Sequence, residues 1–222
     1  MPATATSSRF DGLAVPTGDR LTPPAARRWA CPRLDSARRY SGAMERAEPA
    51  VLIGSRLPSP LGAGSLAANV VAHGATLIAV LARDAGNGAA AAQAGRIRAR
   101  AGVLATTNDI AFAAAMRHLD AAARGDGDGI WLALALGDAA GVALVIAETS
   151  ADLALLAADL ASLVDGSRRV DCIGISRLAA AAASCAALLV SVNLVVGEGD
   201  GRLAAAVEAA NQAARAAAID SL

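Results

Sequence analysis

Every proline in this 222-residue chain lies at or before Pro60. Proline deletes a backbone donor and clashes with the preceding helical turn, so its confinement leaves residues 61–222 free of the strongest helix breaker. The stretch that follows it, Leu61-Gly62-Ala63-Gly64-Ser65, leads into an apolar run from Leu66 to Leu81. Small residues at such a join let the backbone approach something closely, and a helix that starts at Ser65 turns its free N–H groups toward it.

Alanine, the best helix former, makes up roughly a quarter of the chain. Residues of the β-branched and aromatic kind that build sheets are sparse by comparison. The expected fold is all-α, an antiparallel bundle of long helices. After residue 43 the aromatics are Phe112 and Trp131 alone. The core must therefore come from Leu, Val, Ile and Ala, with helices packed close together.

Charge divides the chain. Residues 1–43 carry seven arginines against three aspartates, while the formal net charge of the whole is zero, so residues 44–222 are mildly acidic. That balance argues against a nucleic-acid surface on the body, because phosphate binding is carried by clustered Lys and Arg. The chain has no lysine, which excludes Schiff-base chemistry. With His73 and His118 the only histidines, and with Cys31, Cys172 and Cys185 in no paired spacing, no metal-ligand set is expected. An odd number of cysteines without a signal segment reads as reduced thiols of a cytoplasmic protein.

Residues 1–43 mix Pro, Ser, Thr, Arg and Gly without periodicity, and a disordered tail is expected there. The longest apolar run near the start, Leu13-Ala14-Val15, is too short for a signal peptide. Residues 44–222 are read as a single domain. Ile130–Ala147 and Leu178–Val196 are apolar enough to suggest membrane spans, but Asp138, Ser184, Ser191 and Asn193 interrupt them. Buried helices outside a membrane are the expectation.

The expected elements are a short helix over Ala47–Gly54 and long helices over Ser65–Arg83, Ala89–Arg124, Ile130–Leu163 and Asp171–Val196, then a last helix ending near Ile219. Turns fall at Asp84–Gly88, at Gly125–Gly129 with Asp128 as N-cap, at Asp165–Ser167 and at Gly197–Gly201. A bend is expected in the third long helix near Thr149-Ser150.

Four constellations have the residue types for chemistry. Ser65, Asn69 and His73 stand four apart and form a polar stripe on an apolar helix, facing either a cavity or a satisfied core. Thr106-Thr107-Asn108-Asp109 interrupts a helical stretch with poor helix formers, either for a local polar requirement or as a solvated face. Asp171 follows Arg168 and Arg169, and fits a general base as well as an N-cap. Asn193 is a lone amide in an apolar run and needs a hydrogen-bond partner.

Pro60-Leu61-Gly62-Ala63-Gly64-Ser65-Leu66-Ala67-Ala68 resembles the Pro-Gly-Gly-Gly-Ser-Val-Ala-Ala opening of the formiminotransferase-cyclodeaminase C-terminal domain and the related methenyltetrahydrofolate cyclohydrolases. Asn108-Asp109-Ile110-Ala111-Phe112 is similar to that family's second motif, and Asp171 and Val192-Asn193-Leu194 to its Ser-Asp and Val-x-Asn-Leu signatures. Order and spacing agree from about Leu57 to the C-terminus. The resemblance implies an all-helical homodimer acting on a tetrahydrofolate derivative, with no cofactor beyond that substrate. It would either close the 5-formimino form to 5,10-methenyl with loss of ammonia or interconvert methenyl and 10-formyl forms with water. It also implies site roles: Asp171 for proton transfer assisted by Asn108 or Asp109, Gly62, Ala63, Gly64 and Ser65 bordering the pterin or one-carbon bridge, and Arg168 or Arg169 for the glutamate carboxylate. Asn69, His73 and Asn193 are the further candidates for substrate contact.

This chain departs from the family pattern at Ala63, which replaces the central glycine, and at Asn108, which stands where the family has an acid. An amide is no general base. A folate enzyme with a modified site and a catalytically silent helical dimer, binding a folate or a protein, are therefore the two readings left open.

Overall fold

The computed structural model describes residues 62–194 and 200–218. The expected tail over residues 1–43 and the helix over Ala47–Gly54 lie outside the described residues. Five helices follow in order: α1 (Ala63–Asp84), α2 (Gly88–Ala123), α3 (Gly129–Ala161), α4 (Gly166–Asn193) and α5 (Gly201–Ala217). No strand occurs among the described residues. The all-α expectation holds.

Local chemistry sets the helix ends. Asn87 starts α2 with its side chain accepting from the Ala90 N–H at 3.0 Å. Asp128 caps α3 at the Ile130 N–H at 2.9 Å, as expected from sequence. The α1–α2 turn depends on Gly86, whose φ of 71° lets the chain leave the helix while Asn87 N–H bonds Ala82 O at 2.8 Å. α3 runs unbroken through the position of the expected bend, with Thr149 and Ser150 hydroxyls donating to the Val145 and Ile146 carbonyls.

One boundary is corrected. α4 begins at Gly166, five residues before Asp171, so Asp171 sits beyond the first turn and caps nothing. Asp165 holds the N-cap position instead, and Ser167-Arg168-Arg169-Val170, which looks like loop in sequence, is helical.

Short turns make α1 to α4 an antiparallel series, with α4 returning against α1. α3 is central and touches each of the other four helices, while α5 lies against α3 and α4. Alanines such as Ala75, Ala140, Ala143, Ala147 and Ala183 are fully buried, and Ile78, Ile146, Leu153 and Leu160 fill the space between them. Close backbone approach is visible at Gly74, where an added Cβ would fall 3.1 Å from Leu153 Cδ2 and 3.2 Å from Ile175 Cγ2. By length and composition α1, α3 and α4 are each long and apolar enough to cross a membrane.

Candidate active site

The start of α1 meets the middle of α2 in a small polar centre. Asn108 Nδ2 donates to Ser65 Oγ at 3.0 Å. Ser65 Oγ in turn lies 3.1 Å from the Ala105 carbonyl and closer still to Asp109 Oδ1, so its single hydrogen has two acceptors and the carboxylate is the nearer. Ser65 is fully buried, Asn108 is 8% exposed and Asp109 is half-buried. An amide, a hydroxyl and a carboxylate thus form a chain that ends at the half-buried Asp109, each orienting the next.

Glycine makes this contact possible. A Cβ at Gly64 would overlap the Asn108 amide, 2.7 Å from its Cγ, and one at Gly62 would touch Asn108 Nδ2 at 3.4 Å and Phe112 Cγ at 3.9 Å. Ala63 points outward and is exposed, which explains why alanine is accommodated between two glycines. Asp109 Oδ2 accepts no hydrogen bond from the described residues, and is the oxygen left for a ligand.

The other expected residues stand apart from this centre. The Ser65–Asn69–His73 stripe does not stay on one face: residues four apart advance about 40° around a helix, so Asn69 is half-buried and His73 is exposed. Thr106 and Thr107 are exposed, the latter bonded to the Val103 carbonyl at 2.9 Å. Asn193 is the last residue of α4 and half-buried, at the end of the bundle where α1 begins.

Asp171 lies toward the opposite end. Gly74 packs against Ile175; Ser65 is nine residues before Gly74 and Asp171 is four before Ile175. In antiparallel helices these offsets add, which separates Ser65 from Asp171 by about 20 Å along the bundle axis. Asp171 and Arg168 are exposed, and Arg169 is half-buried with Nε enclosed and no acceptor among the described residues. Within one chain the structure brings together Gly62, Gly64, Ser65, Asn108 and Asp109, and leaves Asp171, Arg168 and Arg169 elsewhere.

Sequence reasoning missed two features. A cleft of about 490 Å³ opens between α2 and α3, lined by Trp131, Ile110 and Leu134 with Thr107, His118 and Asp138 as its polar groups. His118 and Trp131 on either side of the Gly-rich turn were the available signal. The other is Arg202, which donates from Nη1 to the Gly137 carbonyl at 2.6 Å and pairs through Nε and Nη2 with Asp200. Those side-chain bonds, with the Arg202 backbone N–H, hold the Asp200 carboxyl below its usual range.

Among the described residues no cluster of three or more His, Cys, Asp or Glu is placed to hold a metal ion. No family model matches the chain, and no curated protein matches it. Among solved structures it is similar to the formiminotetrahydrofolate cyclodeaminase of Thermotoga maritima, with a TM-score of 0.56 and 20% identity over 73% of this chain and 84% of that one. The chain has the helical fold of that cyclodeaminase.

Proposed function

We propose that the protein is a cytoplasmic enzyme of tetrahydrofolate one-carbon chemistry, a cyclodeaminase or cyclohydrolase that works as a homodimer. The observation that carries this reading is the convergence of Gly64-Ser65 with Asn108-Asp109 across α1 and α2. These residues carry two of the family-like motifs, and they meet in a fold shared with a cyclodeaminase.

Asp109 is the proton-transfer group of this reading. Ser65 occupies Oδ1, and Asn108 fixes Ser65, so Oδ2 is held in one direction at little entropic cost. In ring closure N10 of the substrate attacks the formimino carbon. Asp109 takes the N10 proton and delivers it to the amino group, which leaves as ammonia when its C–N bond breaks. In the hydrolytic direction water attacks the methenyl carbon, Asp109 takes the water proton and passes it to N5, and the C–N5 bond breaks as the hydroxyl proton is released to solvent, which leaves the 10-formyl form. Proton transfer of this kind needs no cofactor beyond the folate.

The test is consumption of 5,10-methenyltetrahydrofolate and of 5-formiminotetrahydrofolate by purified protein against buffer. Asp109→Asn is expected to lower kcat roughly 10²-fold or more, and Ser65→Ala to lower it less. Equal rates with and without protein overturn the enzyme reading. The second reading, a silent relative that binds a folate or a protein, is favoured by Asn108 in the acid position and is supported if folate binds without turnover.

A further inference from the structure

The cleft between α2 and α3 is built from residues that the centre at Ser65 does not use. Thr107, Ile110, Ala111, Ala114 and His118 share one face of α2, and Asp109 points about 160° away from the middle of that face. A molecule in the cleft therefore leaves Asp109 free, and its identity is a question separate from the folate reading.

Three alanines make the space. Ala111, Ala114 and Ala135 form the floor, where larger side chains would close the gap between the two helices. Ile110, Trp131 and Leu134 form the walls and are 66%, 59% and 55% exposed. A volume of about 490 Å³ falls in the range of small-molecule sites, which are mostly apolar with a few placed polar groups.

Charge selects the ligand. Residues 107–142 carry five aspartates against two arginines, a formal charge of −3 with histidine neutral. Asp138 is the carboxylate that lines the cleft, and it makes no ion pair or side-chain hydrogen bond among the described residues. Its field reaches Arg202, but that guanidinium is already held by Asp200 and the Gly137 carbonyl. Trp131 stands two helical turns before Asp138 on the same side of α3, about 10 Å away along the axis. Tryptophan is the best aromatic partner for a cation and also stacks on other rings. A helix of another protein is the poorer occupant, because its apolar stripe would bury the Asp138 carboxylate without a partner.

We propose that the α2–α3 cleft binds a small organic cation, an aromatic ring carrying a primary ammonium or amidinium group, with Trp131 as the stacking surface and Asp138 as the counter-charge. The ring lies against Trp131 and Leu134, and the cationic end reaches Asp138. His118, half-buried on the facing helix, has a ring nitrogen to accept a second N–H of the same ligand.

Binding is read on the full-length chain by saturation-transfer NMR, and by fluorescence after Trp29→Phe, which leaves Trp131 as the sole tryptophan. The probes are phenethylamine, 4-phenylbutylamine and benzamidine, with 4-phenylbutyrate as an anion of matching shape. Molecules this small are expected to bind in the millimolar range. At least one of the cations is expected to bind saturably, with 4-phenylbutyrate about tenfold weaker or worse. Asp138→Asn is expected to weaken the cation by a similar factor. Ala114→Leu, which fills the floor, is expected to abolish binding with helical content retained, and Asp109→Asn to leave binding unchanged.

No saturable binding by any of the three cations, or equal binding of 4-phenylbutyrate, overturns the proposal. Cation affinity that survives Asp138→Asn or Ala114→Leu does the same, because the counter-charge or the place would then be wrong. Loss of binding in Asp109→Asn would put the ammonium at the Ser65 centre and overturn the separate site. Trp131 emission that responds to phosphatidylglycerol vesicles and to none of the amines overturns it in favour of lipid. Failure of folate turnover leaves every one of these outcomes untouched.

Discussion

Gly64 has no room for a side chain, because the Asn108 amide occupies the place of its Cβ. Gly64→Ala is expected to push Asn108 off Ser65 and to destabilise by about 1–3 kcal/mol, the usual cost of overpacking, which a thermal melt reads. Ala63→Gly, at an exposed position, is expected to change little beyond helix propensity. Sequence alone singled out Gly62 to Ser65 and Asn108-Asp109, yet not their contact, since Ser65 and Asn108 are 43 residues apart and their pairing depends on the register of α1 against α2. Cys172 is a second residue-scale case. Burial first, and the Asp171 carboxylate next to it, push its thiol up to about 11, and it has no exposed surface. At pH 8 it is expected to resist iodoacetamide until the chain unfolds; prompt modification in the native state would show that the α3–α4 seam opens.

Helix existence was legible where composition was uniform, and helix starts were legible where a side chain caps them, as at Asp128. The start of α4 was not, because Gly166 and Ser167 are poor helix formers that read as a turn, although Arg168 and Arg169 favour helix. The docking of α5 was equally hidden. Arg202 reaches the Gly137 carbonyl from 65 residues away, and Asp200 both caps α5 and orients that guanidinium. Asp200 has a folded-state pKa below its unfolded value, so it contributes stability above the unfolded value and loses it as pH falls through the folded one. Amide exchange in α5 is therefore expected to speed up selectively in that acid window. Asp200→Asn is expected to give the fast exchange already at neutral pH; unchanged exchange in the variant would mean that the apolar face of α5, Ala206, Ala209 and Ala213, holds it without the latch.

At the scale of the molecule, an alanine-lined core buries little apolar area per residue, while large aliphatic side chains such as Leu178, Leu188 and Val192 stay outside. Burial of apolar surface is the main favourable term in folding, so a bundle that leaves these residues wet forgoes stability that a second copy would restore. Association that accompanies folding makes the melting temperature depend on concentration, because dilution favours the unfolded chain by mass action. The wild-type Tm is thus expected to rise across a hundredfold increase in protein concentration. Leu188→Glu is expected to melt at a lower temperature that no longer varies with concentration, and its Cys185 to react with iodoacetamide faster than that of the dimer. A wild-type Tm independent of concentration, together with equal Cys185 reactivity in the two proteins, would mean that the single chain is stable with its apolar face in water and that α4 pairs with nothing.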